Sequence, residues 1–164
     1  MSYDNAWTFK GKEFESEMIG KAESFIYLLT ELDTGRIYVG KKSFKMTKYK
    51  QVNKVKKGYK TESEWKEYYS SSDYIKDKVA KGGAKNYKRE ILVLCGKKGV
   101  ANYVEGLLQT DFRMLEDKEK FINGNIQLRV ASSHVNKKHV LDEDKERLTK
   151  LYNHYGKTYY VFGT

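Results

Sequence analysis

The sequence predicts a single α/β domain with the element order β-β-α-α-β-α-(β), followed by one appended helix. Three observations carry this prediction. The runs "SFIYLLTE" and "GRIYVGKK" are short, β-branched and aromatic, and a turn-forming "LDTG" separates them. "YKREILVLC" is a third run of the same character, and it follows helical sequence that ends at Gly82-Gly83. "GVANYVEGLLQTDFRML" instead repeats its apolar residues at helical spacing.

The elements follow in order. The glycine of "LDTG" reaches positive φ without strain, so the first two runs read as a β-hairpin. Residues 41–60 are lysine-rich and read as irregular or partly helical. Thr61-Glu62-Ser63-Glu64 has the form of a capping box and predicts a helix through "EWKEYYSS". A second helix, "SDYIKDKVAKGG", starts at a serine/aspartate cap. After the third strand, Tyr103, Val104, Leu107, Leu108, Phe112, Met114 and Leu115 share one arc of a longer helix. Glu105 lies at the edge of that arc, where a carboxylate would line a cleft. "FINGNIQLRV" reads as a turn and short strand. The character changes after residue 131, where Leu141, Leu148, Leu151, Tyr152 and Tyr155 mark one amphipathic helix. Trp65, Tyr68 and Tyr69 read as core and scaffold, and Cys95 as a buried strand end.

Composition excludes several classes. No stretch of about 18 apolar residues predicts a membrane span. The first residues lack the apolar core of a signal peptide, and one cysteine cannot form an internal disulfide, so the expected compartment is the cytoplasm. His134 and His139 are five apart with no cysteine partners, which argues against zinc. The net charge is +10, and residues 41–60 hold nine lysines and no acidic residue, interleaved with Phe44, Tyr49 and Tyr59. Such a patch attracts polyanions by releasing condensed counterions. It points to nucleic acid, with a solvated loop, an acidic protein or a membrane surface as the alternatives, and it does not separate DNA from RNA.

The pair "FIY … YVG", with Tyr27 and Tyr38 eleven positions apart, resembles the GIY-YIG nuclease motif. Further along, "WKEYYSSSDYIKD", "YKREILVL", "NYVEGLLQTDF" and "FINGNI" are similar to blocks of the Seg-like branch of phage homing endonucleases. The resemblance covers roughly residues 24–130. It implies a small mixed three-stranded sheet flanked by helices over 24–130, an N-terminal segment over 1–23, and a helical extension over 131–164. It also implies a metal-dependent phosphodiester hydrolase acting on DNA, a phage-encoded homing or competitor-excluding endonuclease, with RNA the less expected partner. The alternative is a non-catalytic nucleic-acid-binding protein that keeps the fold.

Phosphodiester hydrolysis needs a water nucleophile, neutralised phosphate charge and help for the leaving oxygen. A divalent metal, Mg2+ or Mn2+, supplies the last two. By resemblance, Glu105 holds the metal, Tyr27 activates water, Tyr38 positions water or phosphate, and Asn123 orients the site. A tyrosine acting as base needs its pKa lowered from about 10, and the nearby lysines are the expected cause. Phe25 stands where the family has its first glycine, and Ser70 replaces the glycine of the family's "YYGSS". Lys48 stands about where many members carry an arginine, and no histidine precedes His134. The phosphate cation then falls to Lys41, Lys42, Lys48 or Arg89, with Lys42 favoured and Arg89 next. Lys41, Lys45, Lys48, Lys50, Lys54, Lys56, Lys57 and Lys60 are the expected DNA contacts. The tail "NKKHVLDEDKERLTKLYNHYGKTY" is similar to helical modules attached to homing nucleases, which implies a helix that either contacts DNA or packs on the domain.

Overall fold

The computed structural model describes residues 5–128, 147, 149–151 and 153–154. The predicted hairpin is present as β3 (Ser24–Glu31) and β4 (Ile37–Ser43), and the third predicted strand as β7 (Tyr87–Cys95). They lie in the order β7-β3-β4, antiparallel throughout. Two short strands, β1 (Thr8–Phe9) and β2 (Lys12–Glu13), widen the sheet to five in the order β2-β1-β7-β3-β4. β1 runs parallel to β7, which makes the sheet mixed.

The expected division at residue 24 is therefore not a structural boundary. Trp7 and Phe14 from the segment before it are buried in one core with Phe25, Tyr27, Phe44 and Trp65. Large rings there need cover, and the N-terminal residues supply it by adding to the β7 edge.

The two sheet faces are chemically distinct because strand side chains alternate. Phe25, Tyr27, Leu29 and Tyr38 face the aromatic core. Ile26, Leu28, Ile37 and Val39 face an aliphatic core beneath α2 (Lys98–Asp111). In β7 the phase shifts at a bulge, where Ile26 pairs with Val93 but Tyr27 pairs with Ile91. Ile91 thus joins the aromatic core while Leu92 and Val93 join the aliphatic one. Cys95 ends β7 and is fully buried, as expected.

Four expectations are corrected. The lysine-rich segment is neither irregular nor helical. It is a second antiparallel hairpin, β5 (Lys45–Val52) and β6 (Val55–Glu62). Asn53 and Lys54, at φ 50° and 62°, make its two-residue turn, the type that matches strand twist. Almost all of it is exposed, so it carries no inside–outside alternation for a sequence pattern to reveal.

The helix expected from Thr61 does not form. Thr61 and Glu62 end β6, and Ser63 donates its amide to the Phe44 carbonyl. Trp65 is drawn into the core, donates to Glu62 Oε1 at 2.6 Å and accepts the Trp7 indole on its carbonyl at 2.8 Å. Tertiary contacts override the local cap.

The second predicted helix is present as α1 (Asp73–Ala80), and its chain reverses at Gly82, φ 88°. The long helix ends at Asp111, four residues earlier than its sequence pattern suggests, because Arg113 turns left-handed at φ 51°. Phe112 and Met114 still reach the core from that turn, whereas Leu107 and Leu115 are each 40% exposed. The strand expected near residue 121 is reduced to a single parallel bridge, Ile37 to Phe121.

In the C-terminal extension, Arg147 donates to the carbonyls of Leu92 and Ile91 at the β7 bulge, and Leu151 packs against the aliphatic core. Leu141, Leu148, Tyr152 and Tyr155, expected on its apolar side, lie outside the described residues.

Candidate active site at the edge of β4

β4 is the outer strand of the sheet, and the chain at 120–123 covers only part of its edge. The Ile37 amide donates to the Lys120 carbonyl, and Ile122 donates back to Ile37. At the next step a side chain continues the ladder. Asn123 accepts the Val39 amide at 3.1 Å and donates to the Val39 carbonyl at 2.8 Å. Gln109 of α2 donates to that same carbonyl at 2.9 Å. Asn123 is fully buried and fixes the backbone between Tyr38 and Gly40.

Tyr27 pairs across the ladder with Gly40, and its phenol lies over the glycine. This brings the Tyr27 ring to 6.1 Å from Tyr38, stacked at 25°. The Tyr38 hydroxyl is 3.0 Å from Ser71 Oγ. Tyr27 is wholly buried and Tyr38 is 7% exposed. Burial raises the Tyr27 pKa well above its ordinary 10.0, and the phenols of Tyr68 and Tyr38 push the same way. Burial also raises Tyr38, with the Ser71 hydrogen bond partly opposing it. The expectation that lysines would lower Tyr27 toward a base is therefore not met. At neutral pH both phenols keep their protons and act as hydrogen-bonding groups.

Glu105 approaches from α2 on the opposite face. Its Oε2 is 2.5 Å from Lys41 Nζ, and its side chain is 12% exposed. Its charge reaches around the strand edge and raises both phenols. Lys41 is thereby engaged with the carboxylate. Lys42, on the phenol face, holds its ammonium 4.1 Å from the Tyr68 ring centroid. Burial lowers the Lys42 pKa, while Glu64 pulls it back up. Beside Lys42 and Tyr68 opens a groove of about 380 Å3 that reaches Glu64, Ser70 and α1.

Arg89 does not serve as a phosphate cation. It is 2% exposed, and it donates to the carbonyls of Asn5, Lys66 and Tyr68 at 2.7, 2.7 and 3.1 Å. Its guanidinium also stacks on Trp7 and Tyr69. Its geometry pins the loop that carries Tyr68. Lys45, Lys48, Lys50, Lys54, Lys56, Lys57 and Lys60 lie exposed on the second hairpin.

Among the described residues no group of three or more His, Cys, Asp or Glu side chains forms a metal cage. A single carboxylate suits Mg2+, which keeps most of its waters, and Glu105 already accepts one cationic partner, the Lys41 ammonium. Glu105 is the one carboxylate of this cluster among the described residues, and a metal there would have to share Oε2 with Lys41 or displace it.

Sequence reading left out Gly40, Ser71 and Gln109, and it assigned Tyr68 to the scaffold alone. A glycine inside a strand pattern does signal close approach of another group, so Gly40 was legible. Ser71 and Gln109 carry no such signal.

The family model described as "Putative endonuclease segE, GIY-YIG domain" matches residues 7–126. That span includes Trp7 and both N-terminal strands as well as every residue of the cluster. No curated protein and no solved structure matches the chain at a significant level. No helix among the described residues is long and apolar enough to cross a membrane.

Proposed function

Because the chain belongs to the SegE family of GIY-YIG endonuclease domains, we propose that it hydrolyses DNA phosphodiesters with a divalent metal, Mg2+ or Mn2+, as a phage homing endonuclease. The single observation that carries this reading is the convergence on one strand edge. Tyr27, Tyr38 and Lys42 come from one face and Glu105 from the other, while Asn123 holds the strand between them.

The chemistry follows from that arrangement. Lys42 is a partly desolvated ammonium, and it binds a non-bridging phosphate oxygen more strongly than a fully hydrated one would. Tyr38, at the rim, orients the attacking water or a phosphate oxygen through its hydroxyl. Ser71 fixes the rotation of that hydroxyl. Tyr27 backs Tyr38 from beneath and sets its distance from the strand. Glu105 would hold the metal, and when bound the metal supplies Lewis acidity to the phosphate and the leaving oxygen. Lys41 must leave Glu105 or share it, which puts a second ammonium near the substrate.

The test is cleavage of supercoiled plasmid with Mg2+ or Mn2+ and with EDTA, beside a structured RNA. Cutting of DNA that EDTA abolishes supports the reading. Tight DNA binding with no cutting under any metal would favour a non-catalytic binder that keeps the fold.

A further inference from the structure

We propose that the β5–β6 hairpin is a ribbon that inserts into the major groove of B-form DNA next to the cleaved bond. This rests on the nuclease reading only for what surrounds the ribbon, since the argument for insertion is geometric.

The ribbon register sorts its lysines onto both faces. Lys45, Thr47, Tyr49 and Gln51 share one face with their partners Glu62, Lys60, Gly58 and Lys56. Met46, Lys48, Lys50 and Val52 share the other with Thr61, Tyr59, Lys57 and Val55. Three lysines thus lie on each face, and Lys54 stands at the turn. The only acid in either strand is Glu62, at the root.

Tyr rings punctuate each face. Lys56 lies over Tyr49 at 4.8 Å and Lys50 over Tyr59 at 5.6 Å. Tyr49 is 61% exposed, so its ring lies open on that face beside Lys56.

An element that lies on a flat anionic surface needs its charge on one face only. Charge on both faces and the tip fits an element with phosphates on either side, which is what a groove presents. The major groove of undistorted B-DNA, about 12 Å wide, admits a two-stranded ribbon as it stands, whereas the minor groove, about 6 Å wide, takes one only when the duplex is bent or opened. The A-form major groove is deep and narrow, which disfavours duplex RNA. Each strand has eight residues, and at ~3.3 Å per residue the ribbon reaches about 26 Å.

Its root is rigidly joined to the site. β4 passes through buried Phe44 directly into β5, and Ser63 Oγ donates to the Ser43 carbonyl at 2.5 Å. Phe44 follows Lys42 by two residues, so a ribbon seated in the groove sets where the strand edge meets the backbone.

The experiment measures binding of the full chain to a 30-base-pair DNA duplex in EDTA as salt is varied. Two variants are compared with wild type, Lys48→Gln/Lys50→Gln/Lys57→Gln on one face and Lys45→Gln/Lys56→Gln/Lys60→Gln on the other. Each should flatten the slope of log K against log salt by up to about 2.7, at about 0.9 per phosphate contact. Unchanged melting temperatures would show that the exposed substitutions leave the fold intact. Methyl green, a major-groove ligand, should displace the protein, and the minor-groove ligand netropsin should not. Flattening by one variant alone, displacement only by netropsin, or equal affinity for duplex RNA would overturn the proposal. Plasmid cleavage by wild type reports separately on the nuclease reading. Cutting that survives while both slopes stay unchanged sinks the ribbon alone, and groove binding without cutting sinks the nuclease alone.

Discussion

Gly40 has no side chain because Tyr27 occupies that space. The two residues face each other across the β3–β4 ladder, and a Cβ on Gly40 would overlap the Tyr27 hydroxyl and crowd Tyr38 Cε1 at 2.8 Å. Gly40→Ala should therefore push both phenols out of register. Overpacking of this kind costs about 1–3 kcal/mol of stability. Cleavage should fall by at least about a hundredfold while DNA affinity, supplied elsewhere, holds. Thermal melts and single-turnover cleavage would check this, and near-normal cutting would show that the stacked pair has no part in the chemistry.

The phenols themselves can be tested without changing the packing. A buried hydroxyl that only packs is worth ~0.5–1.5 kcal/mol. A group that positions or activates the nucleophile contributes ~10²–10⁴ in rate. Tyr38→Phe should keep the melting temperature within a few degrees and lose about a hundredfold or more in rate, whereas Tyr27→Phe keeps the ring that backs Tyr38 and should change the rate only a few-fold. Both pKa values are raised above 10.0. The pH–rate profile of wild type should accordingly show no phenol ionisation below pH 10. An ascending limb near neutral pH that Tyr27→Phe removes would restore the general-base role.

Lys41 and a metal compete for Glu105. Glu105→Gln should abolish cutting and leave DNA affinity equal or higher, because a negative charge departs. Lys41→Met should lower the Mg2+ concentration needed for half-maximal cutting, since the ammonium no longer holds Oε2. Titration of cleavage against Mg2+ reads the loss of cutting and the shifted midpoint, and DNA binding in EDTA reads the affinity. An unchanged midpoint in Lys41→Met would mean that the ion pair does not gate the carboxylate.

Glu31 makes stability depend on pH. Its carboxylate is fully buried at the end of β3, and burial alone would raise its pKa. Hydrogen bonds from Lys78, Thr34, Arg36 and Tyr74 outweigh that and bring it from 4.5 down to about 2. The folded form therefore binds its proton less readily than the unfolded chain. The contribution is complete above about pH 4.5 and is lost as pH falls from 4.5 through 2. A shift of that size corresponds to about 3 kcal/mol. Denaturant melts from pH 6 to pH 2 should show the loss in wild type and a flatter profile in Glu31→Gln, which starts less stable.

The hairpin, the third strand, α1 and the placement of Glu105 on a half-buried helix were legible because each is a local pattern. Short β-branched and aromatic runs, a helix cap or an edge position on a helical arc are all written within about a dozen residues. Tyr27, Tyr38, Glu105 and Asn123 were picked by motif and order, and all four lie within residues 7–126, the span that the family model matches.

What lies between distant segments was not legible. Arg89 reads as one more cation, yet folding buries it among the carbonyls of Asn5, Lys66 and Tyr68, far from it in the chain. Thr61 reads as a helix cap, but Trp65 gains more from the aromatic core than the helix would from its first turn. The lysine ribbon has no buried face, so its strands leave no apolar period. Its two-faced charge exists only once Lys48 is set against Tyr59 and Lys50 against Lys57. The sequence by itself determined the local elements and the types of group available for chemistry. Only the tertiary structure decided which phenol sits over which glycine, which cation faces the groove and which is locked inside, because those depend on burial and pairing across the chain.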